Sequence, residues 1–194
     1  CPGGHVLSSG TSQKGLVTNG MSNYARNSPW SNSALVVTIK AGEDFEEAKP
    51  LEGLRYQRKI EEAAYELSKN VATGRELPAM TVGEFLNKKL NEKPLPKTSC
   101  PSALFKTNLW DLLPKRVAEE LARALGEFDE KLSGFAYADA LLIAPETRTS
   151  APITIERGET LMSTSHQGLY PCGEGAGYAG GITSAAVDGV KVVE

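Results

Sequence analysis

The amino-acid sequence predicts an α+β fold: a β-rich platform drawn from both ends of the chain, a central helical insertion, and a glycine-rich strand-turn-helix element at the end. Three observations predict it. Short β-branched or apolar runs separated by Gly, Ser and Asn fill residues 1–40. From Phe45 onward apolar residues recur at helical spacing as far as Leu132. Residues 168–189, GLYPCGEGAGYAGGITSAAVDG, pass from a short apolar stretch through clustered glycines into a small-residue helical pattern. This organisation assigns residues 1–44 and 133–176 to the platform, 45–132 to the insertion and 168–194 to the terminal element.

Residues 5–7, 15–18 and 33–40 read as strands, and Asn19-Gly20 reads as a tight-turn signal because that pair readily takes the conformations a two-residue hairpin turn demands. Tyr56, Ile60, Ala63, Leu67 and Val71 make one face of a helix; Arg55, Arg58, Lys59, Glu62 and Lys69 supply its wet side, and Pro50 and Gly53 fix its start. A second, short helix is predicted over residues 82–90. There Thr81 and Glu84 form a T-x-x-E capping box, in which each side chain satisfies a backbone donor left open at the helix start. Residues 91–102, with Pro94, Pro96 and Pro101, read as a loop. A third helix is predicted over residues 114–132, with Val117, Leu121, Leu125, Phe128 and Leu132 on one stripe and Asp111 as its cap. Beyond Ser133-Gly134, residues 140–144 and 152–156 read as strands, 169–172 as a short buried strand, and the final helix begins at Tyr178.

Composition narrows the function classes. With 194 residues, 40% hydrophobic and 23% charged, the chain can bury a real core and has no disordered character as a whole. The apolar runs at 34–37 and 140–144 fall far short of the roughly 18 residues a membrane span needs, and no signal-peptide pattern opens the chain, so a cytoplasmic origin and no membrane partner are expected. Net charge is −3 with the signs interspersed, which leaves no basic stripe for a nucleic-acid backbone. Cys1, Cys100 and Cys172 are an odd set without C-x-x-C spacing, and His5 and His166 are too few for a cluster; neither a structural disulfide nor a metal site is expected. The start at Cys1, in the turn-rich CPGGHVL, reads as an excised piece of a longer protein.

The glycine stretch has the anatomy of a phosphate-binding strand-to-helix turn. Gly175, Gly177 and Gly180 satisfy G-x-G-x-x-G, whose logic is backbone N–H groups approaching a pyrophosphate at a helix N-terminus. The usual dinucleotide unit also needs a second strand and an acid about 20 residues on, for which this chain leaves no room, so the turn completes a site built mostly elsewhere. Glu174, at the expected strand end beside that helix, suits a sugar or polyol hydroxyl. The bland alternative is that the glycines only let strand and helix pack tightly. Arg26 in NGMSNYAR and Arg148 in ETRTSAP are candidates for holding an anionic group, against an ordinary role as surface or ion-paired arginines. Cys172 reads as a small buried residue, His166 as a loop histidine without special role, and Cys1 as either frayed or near a ligand.

These segments carry a resemblance. ETRTSAPITI, GLYPCGEGAGYAGGITSAAVDG and, at the front, CPGG followed by NGMS, a downstream arginine and NSALVV resemble the C-terminal part of a bacterial family of FAD-dependent oxidoreductases, sometimes labelled NAD(FAD)-utilizing dehydrogenases. The resemblance implies FAD as cofactor in the intact protein and a small-molecule substrate that the sequence leaves unidentified. It implies that Glu174 accepts from a ribityl hydroxyl, that the backbone around Gly173, Gly175, Gly180 and Gly181 borders the pyrophosphate and isoalloxazine, that Gly177 and Ile182 also belong to the cofactor-binding set, and that Arg26, Arg148 and Thr149 lie near flavin or substrate. The N-terminal FAD-binding domain of such proteins is missing here; it becomes the expected partner, and the fragment alone is expected to be largely free of FAD and inactive. No residue stands out as a general acid or base, as suits chemistry carried by the flavin. The alternative is a non-catalytic binding module with a degenerate turn, whose helical block recruits a partner protein. An exposed apolar seam favours the first reading and a closed surface the second.

Overall fold

The structure is a computed structural model that describes residues 1–9, 12–71 and 75–194. Its described residues form a mixed α+β arrangement with small sheets and five helices. Two compact units divide it, residues 1–38 with 58–147 and residues 39–57 with 148–194. Among the described residues no helix is long and apolar enough to cross a membrane.

In the first unit β1 (Gly4–Ser8) and β2 (Thr18–Ser22) pair antiparallel, with Gly4 opposite Ser22 and Ser8 opposite Thr18. Asn19-Gly20 therefore lies inside a strand, opposite Leu7 and Val6, and not in a turn. The core decides this: Leu16 and Val17 are fully buried, and Thr18 donates both its N–H and its hydroxyl to the Pro145 carbonyl, at 2.8 and 2.9 Å. Gly20 serves packing instead. The Asn32 amide lies over the hairpin, donating to the His5 carbonyl at 2.7 Å, and a Cβ at Gly4 or Gly20 would come within 2.7 or 3.1 Å of it. Residues 33–40, expected as a strand, are irregular.

Helix α1 (Glu52–Val71) forms as its periodicity predicts, but its buried face is rotated. Glu61, Ala64 and Ser68 are the fully buried positions, while Val71 is 62% exposed. The small and hydrogen-bonded residues allow the closer approach: Glu61 accepts from the Thr147 hydroxyl at 2.7 Å, and Ser68 donates to Glu76 at 3.0 Å. The main sheet holds β3 (Leu77–Thr81) between β4 (Leu104–Lys106), parallel to it, and β5 (Leu141–Ile143), antiparallel to it. The stretch 45–132 is thus not purely helical, because a strand from inside it pairs with one from the C-terminal segment. All five residues of β3 are buried, and its Pro78 disguises it in the sequence, since proline lacks a ladder donor.

Helix α2 (Val82–Asn87) starts on the expected capping box. Helix α3 (Leu109–Leu112) is capped by Asn108, which accepts from the Trp110 N–H at 3.2 Å. Asp111 therefore belongs to α3; α4 (Lys115–Lys131) follows Pro114 with no side-chain cap. On α4 the buried residues are Ala118 and Leu125, whereas Leu132 is exposed. One core of Leu16, Leu77, Met80, Phe85, Leu109 and Leu125 unites these elements, with the Phe85 and Trp110 rings stacked 5.2 Å apart. In the second unit residues 152–156 and 169–172, expected as strands, are irregular, and α5 (Ile182–Val193) begins at Ile182 and not at Tyr178.

Glu84 ties the main sheet to α2. Its carboxylate accepts the Thr81 N–H at 3.0 Å and the Asn91 N–H at 2.9 Å, and pairs with Lys106 at 2.5 Å. Lys106 also donates to the Lys93 and Asn91 carbonyls. Burial pushes the Glu84 carboxyl up, but Lys106 and the backbone donors prevail and hold it at about 2. Glu84→Ala, which strands that ammonium and those donors, is expected to cost about 3 kcal/mol in a urea titration. The folded carboxyl titrates below its ordinary value of 4.5, so its contribution is complete above about pH 4.5 and is lost as pH falls towards 2. Across that window the native protein should lose stability more steeply than Glu84→Gln.

Candidate functional site

The glycine stretch lies wholly in the second unit. Its chain reverses between Gly173 and Tyr178: the Gly177 N–H donates to the Glu174 carbonyl and the Tyr178 N–H to the Gly173 carbonyl, both at 3.0 Å. Gly173 and Gly177 have φ of 72° and 86°, the left-handed region that favours glycine. A Cβ on Gly177 would also fall 2.6 Å from the Ile153 carbonyl oxygen. Those two glycines are explained by the chain's own fold.

The other three are not. A Cβ at Gly175 or Gly180 would meet nothing within 4 Å, and one at Gly181 only the Ser184 hydroxyl at 3.9 Å. None of the three has a left-handed φ. Gly181, in extended backbone, is the N-cap of α5 and supplies no side-chain acceptor, and no acid occupies the first turn. Open backbone thus lies beside a helix start whose donors have no side-chain cap. Glu174 is half-buried, and Ile182 is 93% exposed.

An ion pair holds the turn. Asp188, buried on α5, receives both arms of the Arg157 guanidinium, at 2.7 and 3.0 Å, and the Gly173 N–H at 2.9 Å. Arg157 donates further to the Pro171 carbonyl at 2.9 Å and lies 3.7 Å over the Tyr178 ring, whose hydroxyl donates to the Ile155 carbonyl. Hydrogen bonding from Arg157, then from Gly173, holds the Asp188 carboxyl at about 2. These bonds also explain why residues 169–172 form no strand: the Pro171 carbonyl is taken by Arg157 and the Leu169 carbonyl by the Ser163 N–H, while Asp188 holds the adjoining Gly173 N–H. Cys172, expected to be buried, is exposed, because Pro171 and Gly173 on either side turn inward.

Arg148 and Thr149 are exposed residues of this same unit, and Arg148 is engaged in an interaction of its own. Arg26 belongs to the first unit, in left-handed backbone with φ 47°, and a Cβ on Gly3 would lie 2.5 Å from its carbonyl carbon. The structure thereby joins CPGG to the arginine of NGMSNYAR. Cys1 is pinned, its ammonium donating to the Asn32 carbonyl at 2.7 Å. His166 is an exposed loop residue hydrogen-bonded to Ser165. Among the described residues no group of three or more His, Cys, Asp or Glu is placed to hold a metal ion.

Residues 1–149 match the family described as "FAD-dependent protein, C-terminal domain-like". The chain belongs to that family. An uncharacterised protein of Clostridium beijerinckii is 43% identical over 195 residues, which takes in 100% of this chain and 36% of the relative. The chain therefore spans about a third of that relative's length, and the shared part includes the glycine turn, which lies beyond the residues matched to the family.

The glycines of the turn separate by what each would meet. Gly177→Ala should destabilise by about 2 kcal/mol, through its left-handed backbone and the contact with Ile153. Gly175→Ala and Gly180→Ala should stay within about 0.5 kcal/mol of the parent protein. Denaturant midpoints of the three variants check the division.

Proposed function

We propose that this domain is the flavin-facing C-terminal part of an FAD-dependent oxidoreductase of the NAD(FAD)-utilizing dehydrogenase kind. One observation carries the reading: a Cβ at Gly175 or Gly180 would meet nothing in the chain and one at Gly181 only the Ser184 hydroxyl, and Gly180 and Gly181 lead directly into the start of α5, which has no side-chain cap. Open glycine backbone at a helix N-terminus suits an anionic group, because the first-turn N–H groups and the helix dipole both favour negative charge.

The residues present fit part of FAD. Backbone N–H groups of Gly181, Ile182 and Thr183 would meet the pyrophosphate, Gly173, Gly175 and Gly177 would shape the turn alongside it, and the Glu174 carboxylate would accept from a ribityl hydroxyl. Arg148 and Thr149 of the same unit are proposed to serve flavin or substrate. When bound, the flavin supplies hydride or two-electron transfer, and this domain orients it and shields it from water. The exposed apolar stripe of α5, with Ile182 93%, Val190 57% and Val193 88% exposed, supports docking of the further domain that holds the adenosine half. Unpaired thiols at Cys1, Cys100 and Cys172 suit a reducing, cytoplasmic setting.

The test is the visible absorption spectrum of this chain joined to the remaining part of the Clostridium relative, together with titration by FAD. A bound flavin is expected, and Gly175→Ala or Gly180→Ala, whose added Cβ would meet nothing of the chain within 4 Å, should raise the FAD Kd about tenfold or more. A colourless protein that ignores added FAD would overturn the proposal and leave the non-catalytic binding module standing.

A further inference from the structure

We propose that Arg157 and Asp188 are positioning residues that set the spacing between the glycine turn and the start of α5, and through it the affinity for the flavin; this rests on the oxidoreductase reading above. Asp188 sits on α5 itself, six residues after Ile182. Its carboxylate reaches back to the Gly173 N–H at 2.9 Å, so the helix and the first residue of the turn are joined by one hydrogen bond. Arg157, clamped to both carboxylate oxygens, reaches the other parts of the turn: the Pro171 carbonyl before Gly173, and the Tyr178 ring that closes the reversal. The two flanks of the turn and the helix are thus fastened to a single charge pair.

The chemistry of the site makes that spacing matter. No Lys or Arg lies in residues 168–189, so what this segment itself offers an anionic group is backbone donors. A flexible lysine can follow a misplaced phosphate, whereas a backbone N–H cannot. Arg157 is already committed to Asp188, so it organises the donors without being one of them. A buried charge pair is a weak source of stability, and fixing donors before binding raises affinity by reducing what must be ordered on binding.

Two measurements separate this inference from the reading it rests on. In the chain alone, amide exchange should rise about tenfold or more at Gly173 and Tyr178 in Asp188→Asn and Arg157→Lys, while Met80 and Leu109 in the first unit keep their protection. In the protein joined to the remaining part of the Clostridium relative, FAD titrations of the same variants should give a Kd raised about tenfold or more. The double exchange Arg157→Asp with Asp188→Arg restores opposite charges but places no acceptor facing Gly173. It should recover thermal stability relative to the single variants without recovering FAD affinity, which a merely structural ion pair would not predict. Tyr178→Leu, which leaves the pair intact and removes its stacking surface, provides the same readings if the charge variants do not fold. Unchanged exchange at Gly173 and Tyr178, unchanged FAD affinity in folded variants, or affinity recovered by the charge exchange would each overturn the inference. A parent protein that binds no FAD, with exchange at the two amides altered as expected, would overturn the oxidoreductase reading and the flavin role while keeping the anchor.

Discussion

A buried carboxylate that accepts backbone N–H groups and faces one committed cation is the interaction on which both units are built. In the first unit Glu84 gathers the N–H groups of Thr81 and Asn91 with the Lys106 ammonium. In the second, Asp188 gathers the Gly173 N–H with the Arg157 guanidinium. The reason is common to both. The described strands all belong to the first unit and are only three to five residues long, and the described residues of the second unit form none, so ladders satisfy few backbone donors and side chains must take the rest. Each carboxyl is held at about 2, which records how far its surroundings favour the charged form. The same need explains the Asn32 amide over the β1–β2 hairpin and the doubled donation from Thr18 to the Pro145 carbonyl.

This reliance on side chains also explains which parts of the fold were legible in the sequence. Helices α1, α2 and α4 follow from local rules: their apolar period and the Thr81–Glu84 box lie within a few residues of each other. The faces of α1 and α4 were harder, because apolar periodicity cannot weigh a hydrogen-bonded Glu61 or a close-packed Ala118 against an exposed Val71 or Leu132. Strand β3 was hidden by Pro78 and by burial on both faces, which removes the alternation a strand is recognised by. Asn19-Gly20 matched a turn pattern, but the glycine there makes room for an amide contributed by Asn32, a tertiary requirement with no local signature.

The candidate site divides along the same line. The clustering of glycines was visible, yet the sequence treats Gly173, Gly175, Gly177, Gly180 and Gly181 alike. Only the backbone angles and the neighbours of each missing Cβ separate the two that the turn requires from the three that it does not. Arg157 and Asp188 stand 31 residues apart, and only Asp188 falls within a segment that the sequence singles out. The available hint was an aspartate on an otherwise small and apolar helix, since a carboxylate buried there must have a partner. It did not say which of the chain's basic residues that partner would be.

Charge bookkeeping in the second unit sets how such a site would have to work. Arg157 and Asp188 cancel each other, Glu174 adds a negative charge, and residues 168–189 contain no Lys or Arg. Formal charge within this segment therefore opposes an anion, and what the segment itself offers in favour of one comes from oriented peptide dipoles at the start of α5. Dipoles act only over about one helical turn, so a favourable outcome depends on distance more steeply than attraction to a full charge does. That dependence gives a physical reason for a site lacking its own cation to place a paired arginine and aspartate behind the turn: charges that cannot attract the ligand directly can still fix the donors that do.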